Sequence, residues 1–371
     1  MEIIFKPTHA CNGNCVYCSA GEFRDEPAVF PIERLAPTFD TLRAWMIQDD
    51  DRRLRFIWHG GEPLLCGIGF YRRVIEDQHR VFAKDMWRVQ NAVQSNITLV
   101  NEEWIPVIKE LMQDQSLGTS FDLAEGIRGL KNGDDVNDKW LRAFLLLRER
   151  GIRVGVVYTV HKRSIANARN IYYFFRNLDP ALSVRFNAMY RQGCAKNERA
   201  ASLHITADEF GRFLVDLFEV WKADSMRMNV SPLIEWQRAW FGDLNALCCD
   251  GRGVCHETHL GLNPDGTVYG CGRASDDCSH PLGNIFTDAF EEILTREPRA
   301  SLGRRSETLQ ETCCRDCPYW HLCRGGCPMV AWLYHGDLFR ESYFCESKKM
   351  VFGRYREEFG PPASPQAAVP A

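Results

Sequence analysis

Up to about residue 188 the chain alternates short apolar runs with amphipathic stretches. The runs Glu2–Lys6, Leu54–Trp58, Trp87–Asn91, Gly118–Phe121, Arg153–Val160 and Ser183–Asn187 have the length and β-branched or aromatic content of strands. Between them, near 32–48, 68–84, 102–113, 136–150 and 164–178, apolar residues recur at helical spacing. In 136–150, Trp140, Ala143, Phe144 and Leu147 fall on one face with Arg and Glu between them. Six βα repeats predict an α/β fold with a parallel sheet and outer helices, a partial (β/α)6 TIM-type barrel. In such barrels the chemistry sits at the C-terminal ends of the strands.

Residues 205–247 read as helices rich in aromatics (Phe210, Phe213, Phe218, Trp221, Trp236, Trp240 and Phe241), which the pattern assigns to core packing between two domains. From Cys248 the texture changes to Cys-rich loops. Within them His259–Leu262, the turn Asn263-Pro264-Asp265-Gly266 and Thr267–Gly270 predict a β-hairpin. The segment Gly360–Ala371 carries four Pro without periodicity and reads as a disordered tail. The expected division is 1–200 for the barrel, 201–247 for a helical bridge, 248–350 for the Cys-rich domain and 351–371 for a helix end and tail.

Charge and composition narrow the function. With 45 basic and 49 acidic side chains among 371 residues, the net charge of −4 offers no electrostatic reason for a nucleic-acid or anionic-membrane partner. No apolar run approaches the roughly 20 residues of a membrane span, and the N-terminus lacks the pattern of a signal peptide. A cytoplasmic location is expected. Sixteen Cys is then a high count. A disulfide framework needs an oxidising compartment, so metal or cluster ligation is the expectation, decided by spacing.

Directly after the first strand stand Cys11, Cys15 and Cys18. Three thiolates in one loop can hold a four-iron cluster and leave one iron open, whereas a structural zinc site closes with four ligands. Gly60-Gly61-Glu62-Pro63 follows the second strand; its glycines allow close backbone approach and its carboxylate suits an ammonium partner. In the C-terminal third, Cys249, Cys255 and Cys271 are followed by Cys314, Cys317, Cys323, Cys327 and Cys345. Eight cysteines divide into two sets of four, either electron-transfer clusters or a pair of zinc ribbons.

The CxxxCxxC loop with Tyr17 before its last Cys, together with the GGEP segment, resembles the radical S-adenosylmethionine (radical SAM) enzymes. The intervals from Cys249 to Cys345 resemble the SPASM extension of radical SAM peptide (RiPP) maturases. The resemblance implies a [4Fe–4S] cluster on Cys11, Cys15 and Cys18, SAM chelating its fourth iron, and SAM contacts from Gly60, Gly61, Glu62, Pro63 and Tyr17. One-electron cleavage of SAM then yields a 5′-deoxyadenosyl radical that abstracts a substrate hydrogen. It further implies two auxiliary [4Fe–4S] clusters, one on Cys249, Cys255, Cys271 and Cys327, the other on Cys314, Cys317, Cys323 and Cys345. Gln94–Leu99 resembles the family's ribose segment with Ile97 where Gly is usual, and Ser120-Phe121-Asp122 its SxDG segment with Leu123 in place of Gly; Asn96 and Ser120 are carried over as SAM contacts.

Five cysteines remain. Cys248 and Cys313 adjoin expected ligands and are candidates to replace them; Cys66, Cys194 and Cys278 read as buried thiols, with Cys194 on the active-site side.

The family's substrates are mostly peptides or proteins, and its outcomes are formylglycine, thioethers or side-chain crosslinks. Anaerobic sulfatase-maturating enzymes carry an Asp directly after the hairpin Cys, whereas Gly272-Arg273 follows Cys271 here. The expectation is therefore an oxidative intramolecular crosslink in a ribosomally made precursor peptide, of the carbon–carbon cyclophane type. The alternatives are a thioether or formylglycine maturase, an enzyme on a small molecule, and, outside catalysis, an iron–sulfur or zinc electron-transfer scaffold. Asp122, Glu125, Asp276 and Asp277 are the available bases. Expected partners are the precursor peptide and a reductant such as flavodoxin or ferredoxin; with only ten residues before Cys11, any leader recognition is expected from a separate leader-binding protein or from the barrel and bridge surface.

Overall fold

The computed structural model describes residues 1–20, 28–112 and 116–363. The six expected strands are present as β1 (Glu2–Thr8), β2 (Leu54–Gly60), β3 (Val89–Val93), β4 (Leu117–Ser120), β5 (Val154–Val160) and β6 (Ser183–Ala188). Between them lie α1 (Leu35–Met46), α2 (Gly67–Phe82), α3 (Trp104–Met112), α4 (Val136–Glu149) and α5 (Ala168–Leu178). Strands β1–β3 pair in parallel, as do β4–β6, and a single parallel bridge between Gln94 and Gly118 joins the two groups. This is the α/β architecture of a partial TIM-type barrel. Two helices start where side chains satisfy free backbone donors. Asp135 caps α4 by accepting from the amides of Asn137 and Asp138, and Thr206 with Glu209 forms a reciprocal capping box on α6 (Ala207–Ala223).

Two features depart from the expected order. A short seventh strand, β7 (Asn229–Ser231), pairs in parallel with β6 ahead of α7 (Leu233–Trp240). The predicted hairpin, β8 (His259–Leu262) and β9 (Thr267–Tyr269), forms as expected but is not a separate layer. β8 pairs in parallel with β1, Glu2 opposite His259 through Phe5 opposite Leu262, and β10 (Pro281–Asn284) adds to β9. The Cys-rich segment therefore continues the barrel's own sheet in the order β10-β9-β8-β1-β2-β3.

The aromatic stretch behaves as core. Phe210, Phe213, Phe218, Trp221, Trp236 and Trp240 are buried, and Phe218, Trp236 and Trp240 pack against Phe352 or Tyr355 of the C-terminal helix Cys345–Phe359. Phe241 is the exception, exposed although its ring lies 5.3 Å from Phe359. The expected tail falls largely on 364–371, outside the described residues; Ala363 still donates to the Trp240 carbonyl. Among the described residues no helix is long and apolar enough to cross a membrane.

Candidate active site

At the C-terminal end of β1 the chain enters the cluster loop. Residues 12–16 run antiparallel to 127–131: Asn14 donates to the Gly129 carbonyl (2.8 Å), Val16 to Ile127 (2.9 Å), and the Lys131 amide to Asn12 (2.8 Å). The Cys194 amide donates to the Cys18 carbonyl (2.9 Å) from the far side. The loop is thus held by backbone bonds from two directions, independent of anything its thiols bind.

Gly60 and Gly61 bring the end of β2 against this loop. A Cβ at Gly61 would stand 2.2 Å from the carbonyl oxygens of His9 and Ala10, and one at Gly60, whose φ is +119°, would stand 2.3 Å from the Thr8 oxygen. No side chain fits at either position.

Glu62 is anchored within the protein. It is fully buried, and its carboxylate accepts from Ser95 Oγ (2.7 Å), the Asn96 amide (2.7 Å) and the Leu64 amide (3.0 Å). Burial raises its pKa, with those three bonds opposing the rise. Glu62 therefore ties the end of β2 to the loop after β3. Neither Glu62 nor Pro63 lines the chamber described next. In that same loop Ile97 adopts φ +56°, the left-handed conformation for which glycine is favoured, and is fully buried.

One chamber of about 490 Å³ occupies the mouth of the barrel. Its wall includes all three cluster-loop cysteines, Cys11, Cys15 and Cys18, with Tyr17, Gly60, Gly61, Asn96 and Ser120. It also includes Cys249, Cys255, Cys271 and Cys327. Cys327 stands near the other three thiols although 56 to 78 residues separate it from Cys271 and Cys249. Cys314, Cys317, Cys323 and Cys345 form a second neighbourhood, in which Cys314, Cys323 and Cys345 each feel the charge of others in the set. The two neighbourhoods adjoin at the loop between Cys323 and Cys327, where the buried Arg305 donates to the carbonyls of Leu338 (2.7 Å), Gly326 (3.0 Å) and Arg340 (2.7 Å).

Asn96 is fixed by its own bonds, donating to Asn12 Oδ1 (2.7 Å) and accepting from the Thr98 amide (3.0 Å). Ser120 Oγ accepts from Gln94 (3.3 Å). Tyr17 is backed by Asp122 and by His161, whose ring is 5.9 Å away, and His161 Nε2 lies 2.9 Å from Asp122.

Of the four carboxylates considered as bases, only Asp276 lines the chamber. Asp122 is turned to His161, Asp277 pairs with Lys196 (2.9 Å), and Glu125 is exposed. Asp276 accepts from Ser19 Oγ (2.9 Å) and pairs with the buried Lys6. Burial alone would raise its pKa, but Lys6, His59 and Ser19 outweigh that and hold it below the usual carboxylate range. Asp276 lies on the short helix Gly272–Asp277 one turn after Gly272, so the two share a helix face. A Cβ on Gly272 would meet Ile4 Cγ2 at 3.2 Å.

The leftover cysteines separate. Cys194 is buried, as expected of it, and lies beside the cluster loop without being part of the chamber wall. Cys278 is exposed rather than buried, Cys66 is half-buried and Cys313 is exposed. The Cys248 thiol donates to Asp250 (2.9 Å), which also pairs with Lys348 (2.9 Å). Cys248 does not line the chamber, whereas Cys249 does. Replacing Cys248 by alanine is accordingly expected to leave the iron content unchanged, and the same change at Cys249 to lower it by about four irons per chain, as read by iron and sulfide analysis.

Sequence motifs did not reveal Lys6, Arg128 or Arg273. Arg128 lines the chamber, donates to the Ser120 carbonyl and faces Cys15. None of the three belongs to a motif; each was an ordinary charged residue until folding placed it.

Residues 5–167 match the family model described as the radical SAM superfamily, and residues 249–318 that of an iron–sulfur cluster-binding domain, SPASM. The chain is a radical SAM enzyme with a SPASM extension, domains that imply [4Fe–4S] clusters and SAM. It is 28% identical over 335 residues to a serine-type anaerobic sulfatase-maturating enzyme of Klebsiella aerogenes, covering 88% of this chain and 79% of the relative. It is 25% identical over 365 residues to a cysteine-type anaerobic sulfatase-maturating enzyme of Clostridium perfringens, covering 95% of each. Among solved structures, native anSMEcpe with bound AdoMet and the Cp18Cys peptide superposes with a TM-score of 0.81 at 21% identity, over 96% of this chain and 97% of that one. Streptococcus suis SuiB bound to the precursor peptide SuiA gives a TM-score of 0.62 at 13% identity, over 93% and 75%.

Proposed function

We propose that this enzyme oxidises a side chain of a peptide or protein substrate by two electrons. The observation that carries the reading is the single chamber. Thiols of the cluster loop and the four thiols Cys249, Cys255, Cys271 and Cys327 face the same space, so a substrate there is within reach of both the initiating and the electron-accepting groups. We assign Cys11, Cys15 and Cys18 to the SAM-binding cluster, that set of four to one auxiliary cluster, and Cys314, Cys317, Cys323 and Cys345 to the other. The clusters and SAM, when bound, supply the 5′-deoxyadenosyl radical and an acceptor for the electron the substrate gives up.

The chain's own residues do the rest. The backbone of Gly60 and Gly61, with Asn96, Ser120 and Tyr17, forms the wall for SAM, and Glu62 holds that wall together from behind. Arg128 presents a fixed cation beside Cys15, suited to the cofactor's carboxylate. Asp276 is the proton acceptor we assign. It is ionised, faces the chamber and is oriented by Ser19 and Lys6. A modest base suffices, since once the carbon radical has given up its electron the adjacent O–H or S–H surrenders its proton readily.

Among oxidative outcomes, conversion of a Ser or Cys side chain to formylglycine comes first, supported by relatives that match over most of this chain. An intramolecular crosslink of the cyclophane type is the second reading. It is favoured by Gly272, whose missing side chain leaves Ile4 where those relatives' resemblance calls for a carboxylate. Holoenzyme is incubated with SAM, reductant and candidate peptides carrying Ser, Cys or paired aromatic and aliphatic residues. A product that captures a hydrazide is formylglycine; one lighter by about two hydrogens, inert to hydrazide and resistant to sequencing across two residues, is a crosslink. 5′-Deoxyadenosine without change in any peptide defeats both. In the Asp276→Asn variant product should fall by about 100-fold while 5′-deoxyadenosine continues to form. Equal loss of both would remove Asp276 from the proton step.

A further inference from the structure

Arg273 occupies an unusual position for a charged side chain. It sits two residues after Cys271, is half-buried, and lines both the chamber and a second cavity that shares Cys249 and Cys327 with it. Its guanidinium lies 4.6 Å from the centre of the Tyr190 ring and donates to the Tyr190 hydroxyl (3.0 Å). The other terminal nitrogen points at Cys327 Sγ (3.6 Å), and the charge also reaches Cys249 and Cys271. Gln192 anchors the same residue by donating to its carbonyl (2.6 Å). Tyr190 and Gln192 come from the segment following β6, so this one side chain is held by the barrel while facing the Cys-rich extension.

We infer that Arg273 is a positioning residue that raises the reduction potential of the auxiliary cluster held by Cys249, Cys255, Cys271 and Cys327. The inference rests on that ligand assignment. Adding an electron makes a thiolate-bound cluster more negative. A fixed cation and an N–H donor to a ligand sulfur stabilise that reduced state, and hydrogen bonding to sulfur and net charge are established determinants of cluster potential. Both terminal nitrogens are committed to Tyr190 and Cys327, so the guanidinium is oriented toward the cluster rather than toward substrate. A cluster made easier to reduce is a better acceptor for an electron released in the chamber that Arg273 also lines.

The test is an anaerobic redox titration of the holoenzyme followed by electron paramagnetic resonance, comparing wild type with Arg273→Gln and Arg273→Lys. In Arg273→Gln the midpoint of one cluster should move to more negative potential while the others stay, and Arg273→Lys should recover part of the shift. Midpoints that coincide with wild type at full iron content overturn the inference. Should Arg273→Gln lose iron, Arg273→Lys decides: a shifted midpoint supports the role and an unshifted one ends it. Cys327→Ala separates the two assumptions. Loss of about four irons per chain upholds the ligand assignment, so an unshifted midpoint then defeats Arg273 alone. Full iron in Cys327→Ala defeats both.

Discussion

Replacing Cys15 by alanine should abolish formation of 5′-deoxyadenosine and remove about four irons per chain, with little change in folding stability. The separation of those effects follows from how the loop is built. Its shape is set by the amides of Asn14 and Val16 bonding to Gly129 and Ile127, and by Cys194 bonding to Cys18, none of which uses a thiol. This backbone frame does not depend on the thiols, although Cys11 Sγ also accepts from a loop amide, that of Gly13 (3.2 Å). Cys11 and Cys18 should behave in the same way, whereas alanine at Cys66 or Cys194, outside the chamber wall, should retain both iron and SAM cleavage. Iron and sulfide analysis, chromatographic detection of 5′-deoxyadenosine and urea unfolding of each variant make the comparison. A Cys15→Ala protein with its full iron complement would contradict the assignment of the cluster loop.

Glu62→Ala should have the opposite signature, a loss of stability that carries SAM binding with it. The carboxylate partners one hydroxyl and two backbone amides in a fully buried site. Each donor left without an acceptor costs about 1–3 kcal/mol, so destabilisation of about 3 kcal/mol or more is expected in urea unfolding. Because Glu62 ties the end of β2 to Asn96, the cofactor wall should loosen as well, and SAM affinity should fall about tenfold, the equivalent of about 1.4 kcal/mol. Glu62→Gln preserves the shape but turns one acceptor into a donor facing another donor, and should rank between the two. If Glu62→Ala loses SAM affinity at unchanged stability, the side chain contacts the cofactor directly and the buried role described here is wrong.

How far the chain could be read without its fold differs from element to element. β2, β5, α2 and α4 were legible because local apolar periodicity is what buries one face of a strand or helix. The cluster loop and the GGEP turn were legible because their chemistry is compressed into eight and four consecutive residues. β7 was not, since three residues between two aromatic helices carry no period of their own. The packing of Glu62 is not legible for a related reason: its motif suggests a carboxylate near an ammonium, whereas two of its three partners in the fold, Ser95 and Asn96, lie on the loop after β3, more than thirty residues away.

By itself, the order of residues determined the βα alternation, the hairpin, and the grouping of eleven cysteines into a short loop and a C-terminal series, because each of these rests on spacing within one local stretch. Only the tertiary structure decided that β8 extends the sheet beside β1, that Lys6 meets Asp276 across 270 residues, and that Cys327 and Arg273 stand together at one chamber. Those contacts are chosen by which surfaces bury one another when the sheet closes, and nothing in the sequence near either partner specifies the other.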